Sequence, residues 1–124
     1  MSKETALKSF RQLEIWQLSH QLVIMVYQFT KMFPTLEKFS LTNQLLRAVV
    51  SIPANIAEGY GRRSNKEFIQ FLYISLGSLE EVRYYLILSA DLGYISREQA
   101  DQSELLLNEI RSKTIAFVRY LEIH

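Results

Sequence analysis

The chain has 124 residues, no cysteine and a formal net charge of only +1 at pH 7. This length fits one domain with its own hydrophobic core, so we predict a single domain over residues 1–124. The absence of cysteine excludes disulfides, thiol chemistry and cysteine-ligated zinc, and the near-neutral charge means that any affinity for nucleic acid must come from a local patch.

The N-terminal segment lacks the features of a secretion signal. Its first residues carry mixed charge, and no apolar run precedes a small-residue cleavage site. The longest apolar run, Leu22–Tyr27, has six residues, whereas about 20 are needed to span a bilayer. We therefore expect a soluble cytoplasmic protein with no membrane partner.

Helix-breaking residues separate the first two helical segments. The first segment should cover about Gln12–Met32 and end before Pro34, because the residue that precedes a proline disfavours helical geometry. The second should begin near Ser40 or Thr42, since either side chain can cap a helix. It should end at a pair of glycines, Gly59 and Gly61.

Serines followed by a long polar side chain three positions later mark the third and fourth helices. Ser64 with Glu67, and Ser96 with Gln99, have the spacing of a capping box. The third helix should end at Gly93 in the left-handed conformation, and the fourth should run nearly to the C-terminus. Short connections between helices of this length predict an all-α fold, an antiparallel up-down four-helix bundle.

The first and third helices carry more apolar residues than one buried stripe needs. In the third helix, three- and four-residue steps predict one buried seam, formed by Phe68, Leu72, Ser75, Leu79, Val82 and Leu86. The first helix has two apolar stripes, one with Trp16 and Tyr27 and one with Leu22 and Phe29. This surplus predicts self-association, and helices that cross steeply and bury wider faces within one chain are the alternative.

The stretch Ser51–Ser64 stands out because a proline lies inside a helical pattern. Pro53 lacks an amide hydrogen and crowds the carbonyl of Val49, so we expect a kink there. The polar Asn55 and Glu58 have apolar neighbours and need hydrogen-bond partners, at the next turn or across a subunit boundary. We predict that six residues form an oligomer or structural motif: Ser51, Pro53, Asn55, Glu58, Gly59 and Tyr60.

This segment resembles the hallmark of a bacterial four-helix-bundle family encoded by intervening sequences within large-subunit (23S) ribosomal RNA genes. Further similar stretches are Phe10–Trp16, Leu41–Ala48, Glu67–Ile74 and Gly77–Glu81. The resemblance implies a ring-like homopentamer. The family is also similar to accessory proteins of diversity-generating retroelements, which are basic pentamers that bind a reverse transcriptase and nucleic acid, whereas this chain is almost neutral.

The densest basic cluster, Arg62, Arg63 and Lys66, flanks the start of the third helix. Helix amides and two guanidinium groups would suit a phosphate there, and Arg47 is a further candidate for nucleic-acid binding. The alternative is a solvated turn whose arginines pair with nearby glutamates. A ring would repeat the cluster, so that weak contributions would add up.

The patterns that catalysis or metal binding require are missing from the sequence. No Glu-x-x-His pair of the di-iron type occurs, and the two histidines are His20 and His124. The adjacent Glu80 and Glu81 point to different sides of a helix. We predict no enzyme, no metal and no cofactor. The leading hypothesis is a homo-oligomeric bundle that binds RNA or DNA through its basic patch; a scaffold that docks a protein partner on the oligomer is the alternative.

Overall fold

The computed structural model describes residues 9–124, and four long helices fill most of that range. Their bounds are Glu14–Thr30 for α1, Leu41–Tyr60 for α2, Asn65–Asp91 for α3 and Arg97–Ile123 for α4. The predicted four-helix, all-α fold is therefore confirmed, and the described residues contain no strand. Residues 1–8, on which part of the secretion argument rests, lie outside this range.

Capping side chains start α3 and α4 as the sequence predicts. The Ser64 hydroxyl accepts a hydrogen bond from the Glu67 amide over 3.2 Å. Ser96 and Gln99 cap each other reciprocally, which is the full capping box. The prediction for α2 is only partly right, because Ser40 stands at the N-cap position but its side chain makes no capping bond.

Glycine and proline set two of the helix ends. Gly93 has a φ of +78°, and its amide and the next one donate to carbonyls in the last turn of α3, which confirms the predicted left-handed terminus. α1 ends at Thr30 and not at Met32. The reason is that the three residues after Thr30 bond three positions back, so the helix tightens before it reaches Pro34.

The core lies between all four helices. Each helix contacts the next one along the chain, α4 contacts α1, and the described residues show no contact across either diagonal. The largest fully buried side chains come from every helix: Leu22, Leu45, Ile52, Ile56, Leu72, Leu79, Leu107 and Ile110. The seam predicted on the third helix is buried throughout, which confirms it.

Both apolar stripes of α1 reach the core, but they are not equally buried. The stripe with Leu22 and Phe29 lies largely in the core, whereas the other stripe has Leu13 and Val23 buried and Tyr27 44% exposed. Trp16 is half-buried and its ring stacks on His20 at 5.0 Å between centroids. His20 is thus an aromatic packing partner on the outside of α1.

α2 runs through Pro53 without a break. The proline is buried, and beside it the buried hydroxyl of Ser75 on α3 donates to the carbonyl of Ile52 over 3.0 Å. This bond ties α2 to α3 at the position where proline removes one of the helix's own donors. The kink near Val49 stays a prediction.

Candidate functional site at the seam between α2 and α3

A line of polar side chains follows the outer junction of α2 and α3, and we call it the polar seam. Its α2 members recur at three- and four-residue steps and therefore share one helix face. They are Gln44, Arg47, Ser51, Asn55 and Glu58, and they lie beside Ser78, Glu81 and Tyr85 of α3. A groove of about 430 Å³ opens along the first half of the seam.

Ser51 is the centre of the polar seam. Its hydroxyl lies 2.8 Å from the hydroxyl of Ser78, and the Asn55 amide donates to both the hydroxyl and the carbonyl of Ser51, over 2.9 Å and 2.8 Å. Asn55 thus finds partners for its amide group one turn back in its own helix. The Ser51–Ser78 contact joins α2 to α3, and Asn55 holds the Ser51 side chain in place.

Gly59 marks a close approach of α2 to α3. A Cβ at this buried position would lie 2.7 Å from Cδ1 of Phe68 and 2.8 Å from Cβ of Phe71. Tyr60 packs edge-on against Phe68 with 6.3 Å between ring centroids. Sequence reasoning placed Gly59 at a helix end and missed this contact, although two phenylalanines shortly after a glycine were a usable signal. Both residues serve the packing of the turn.

The three side chains of the basic cluster have different surroundings. The Arg62 guanidinium bonds the Glu58 carboxylate at 3.1 Å and lies 4.7 Å from the centre of the Phe71 ring. The salt-bridge alternative is thus confirmed for Arg62. Arg63 and Lys66 are exposed, and neither forms an ion pair with another residue in the described range. They are the cluster's available cations.

Arg47 does not join this cluster. It is exposed in the groove of the polar seam, four helical turns before the end of α2, which is roughly 22 Å from Arg62 along the helix axis. Its groove neighbour Glu81 lies 3.0 Å from the Tyr85 hydroxyl, and that hydroxyl is also 2.8 Å from Oε1 of Gln44. Burial and the Glu81 carboxylate raise the pKa of Tyr85 above its ordinary value.

Two further arginines, Arg83 and Arg111, lie at the junction of α3 and α4. The Arg83 side chain is only 17% exposed and pairs with both Glu80 and Glu104. Arg111 pairs with Glu80 at 3.4 Å. The acidic partners Glu80 and Glu104 neutralise these two guanidinium groups, so Arg83 and Arg111 are not available to a phosphate.

Among the described residues, no three histidine, aspartate or glutamate side chains lie close enough together to hold a metal ion. Glu80 and Glu81 bond to different partners on different sides of α3, as predicted. No helix in the described range has an apolar stretch of the length needed to cross a membrane.

Comparison with known proteins identifies the family. Residues 11–116 match the family model of the 23S rRNA-intervening sequence protein. The chain belongs to this family. A solved protein of unknown function from the S23 ribosomal protein family of Bacteroides thetaiotaomicron VPI-5482 is 28% identical, with a TM-score of 0.76 over 84% of this chain and 97% of that chain. No curated protein matches.

The match confirms the resemblance stated from the sequence to the intervening-sequence family. The matched range contains the whole polar seam and the basic turn, whereas the last turns of α4 lie beyond it. The similarity to retroelement accessory proteins stays a prediction.

Proposed function

We propose that this member of the intervening-sequence family is a non-enzymatic cytoplasmic protein that assembles with copies of itself and binds RNA or DNA. The subunit is an antiparallel up-down bundle and the assembly is a pentameric ring. The observation that supports self-assembly is the surplus of exposed apolar surface. Fourteen large hydrophobic side chains in the described range are at least 40% exposed on a chain of only 14.5 kDa.

The order of side-chain contacts supports the antiparallel arrangement. On α2, Gln44 meets Tyr85, while the later Ser51 meets the earlier Ser78. Along the junction, residue numbers therefore increase on α2 in the direction in which they decrease on α3, as expected for antiparallel helices. The same reversal holds between α3 and α4, where the contacts are Arg83 with Glu104 and Asn65 with Leu121.

The oligomeric state is tested first, because nucleic-acid binding by a repeated patch depends on it. Light scattering at micromolar concentration should give about five times the 14.5 kDa of one chain, as family resemblance implies for this subunit. A mass of one chain across that concentration range would refute self-association.

Nucleic-acid binding is supported by the exposed Arg63 and Lys66 at the start of α3. Both side chains are free of ion pairs in the described range, and the first amides of α3 point outward beside them. A ring repeats this weak phosphate site in every subunit, so the contributions add. The overall charge of +1 requires such a local site.

Fluorescence-polarisation titrations with RNA and DNA at two salt concentrations test this function. The double variant Arg63→Gln with Lys66→Gln should weaken low-salt binding by about tenfold and flatten its salt dependence. The matched control, Lys31→Gln with Lys38→Gln, removes the same charge at the opposite end of α2 and should bind like the original chain. No binding at low salt would refute the proposal.

A protein-docking scaffold is the second candidate, and one connection favours it. Met32, Leu36 and Phe39, in the residues between α1 and α2, are 80–86% exposed. The connection is held in place, because the Tyr94 hydroxyl donates to Glu37 over 2.8 Å. A protein recovered after nuclease treatment by the original chain, and lost with Phe39→Ser, would support docking there.

A further inference from the structure

A groove opens between α3 and α4 near the end of the bundle that carries the basic cluster. The Asn65 amide, beside that cluster, donates to the Leu121 carbonyl over 3.3 Å, so the start of α3 lies against the end of α4. The groove has a volume of about 320 Å³, and its lining includes the buried or half-buried Leu76, Ile115 and Val118. Sites for small molecules begin at roughly 300 Å³, so one flat ring system can enter.

Tyr73 lies at the rim of this groove, and its side chain has no partner among the described residues. It is 56% exposed and makes neither a hydrogen bond nor a ring contact there. The hydroxyls of Tyr85 and Tyr94, in contrast, bond to carboxylates of their own chain. Tyr73 therefore presents an aromatic face beside an apolar groove, which is the arrangement on which a flat aromatic ligand stacks.

Free cations lie on both sides of Tyr73. Lys66 precedes it by seven residues, which places the two on one face of α3, two helical turns or about 10 Å apart. Arg119 lines the groove from α4. Neither cation forms an ion pair within the described range, so both can bind a phosphate.

The other charged side chains of the groove do not cancel these cations. Arg111 is already paired with Glu80 at 3.4 Å, and Glu122 is the free carboxylate among the described lining residues. Two free cations thus stand against one free anion. A carboxylate repels a phosphate but accepts hydrogen bonds from the amino group of a base, so the pattern suits a nucleotide better than a bare anion.

We propose that this groove binds an unpaired base of a single-stranded nucleic acid, with Tyr73 stacked on the base and with Lys66 and Arg119 bound to phosphates on either side of it. The inference rests on the nucleic-acid binding in the proposed function and names the form of nucleic acid that the site takes. Bases in a duplex are stacked on one another and cannot reach Tyr73 unless they are flipped out.

Fluorescence polarisation at equal salt measures this preference. The probes are a labelled single strand of about 16 nucleotides and the same strand annealed to its complement. The original protein should bind the single strand about tenfold more tightly than the duplex. Tyr73→Ala should lower the affinity for the single strand about tenfold and leave the affinity for the duplex unchanged, whereas Tyr73→Phe keeps the ring and should bind like the original chain.

Two matched controls separate the groove from the rest of the surface. Tyr84→Ala removes a 58% exposed ring from the same helix, at a position one turn after Glu80 and Glu81, and should not change binding. Arg119→Gln should reduce the slope of the salt dependence by about one. Arg97→Gln removes an exposed arginine from the opposite end of α4 and should leave the slope as it is.

A photocrosslink locates the bound base on the original chain, and so does not depend on how any variant folds. A single strand that carries 5-iodouracil should couple to Tyr73 on irradiation, and mass spectrometry of the digested protein identifies the adduct. Adducts confined to other tyrosines, such as Tyr60 in the basic turn, would overturn the placement in the groove.

The outcomes separate this inference from the proposal beneath it. No binding of either probe at low salt would overturn both. Equal binding of the two probes, unaffected by Tyr73→Ala, would overturn the groove and leave the proposed function standing. A fall in the assembled mass of Tyr73→Ala by light scattering would show that a second copy covers the groove, which also overturns the inference. A selective loss of single-strand binding at unchanged mass would support it.

Discussion

Gly59 and Gly77 both lie within helices, and their surroundings are opposite. Gly59 is buried at the α2–α3 junction, where a Cβ would lie 2.7 Å and 2.8 Å from two phenylalanine side chains. Gly77 is exposed on the other side of α3, with nothing within 4 Å of the same atom. The first glycine explains how two helices of one subunit come together. The second leaves open space on the outside of α3.

The largest expected effect is at Gly59. Gly59→Ala should lower the free energy of unfolding by about 1–3 kcal/mol, because the added methyl group forces Phe68 and Phe71 to shift. Urea denaturation measures the loss. Gly61→Ala is the matched control, since its Cβ would make only ordinary contact at 3.6 Å, and an equal loss there would argue against the close approach.

A smaller loss is expected at Ser75, on the inner side of the same junction. Ser75→Ala removes the buried hydrogen bond to the Ile52 carbonyl and should lower the free energy of unfolding by about 1 kcal/mol. The exposed Ser112→Ala should change it by less than about 0.5 kcal/mol. Identical denaturation midpoints for the two variants would show that the cross-helix bond adds nothing.

A substitution at Gly77, the exposed glycine, should change the free energy of unfolding in the opposite direction. Gly77→Ala should raise the free energy of unfolding by about 0.5–1 kcal/mol relative to the original chain, through helix propensity alone. Thermal unfolding of the two proteins at equal concentration measures the difference. Destabilisation would mean that Gly77 is required within the subunit, contrary to the open space around it.

The smallest effect concerns alkaline pH. Burial and Glu81 raise the pKa of Tyr85, and the hydrogen bond to Glu37 raises that of Tyr94. Each folded-state pKa lies above the unfolded value near 10, so the stability from these groups is complete below about pH 10 and is lost as the pH rises further. Between pH 8 and pH 11, the melting temperature should fall less steeply with pH for Tyr85→Phe than for the original chain. An equal slope for the two proteins would contradict this prediction.

Local chemistry made the helices predictable, because caps and the left-handed Gly93 depend on neighbours in sequence. The spacing of apolar residues correctly predicted the buried seam of α3. On α1 the same spacing gave two equivalent stripes, and only packing against the other helices determines that Tyr27 faces outward. The same limit applies to the basic turn. Arg62 and Arg63 are adjacent and alike in sequence, and they differ only because Glu58 and Phe71 lie beside one of them.

The opposite ends of α2 carry different chemistry. Met32, Leu36 and Phe39 protrude before the helix begins, and Arg63 and Lys66 follow its end, about 30 Å away for a helix of 20 residues. If the proposed ring forms through the sides of the bundle, both ends of each subunit would stay free, and cyclic symmetry would point every subunit the same way. The assembled particle would then have one hydrophobic side and one cationic side. Nucleic acid and a protein partner could be held at once, each on its own side, and the two candidate functions would cease to compete.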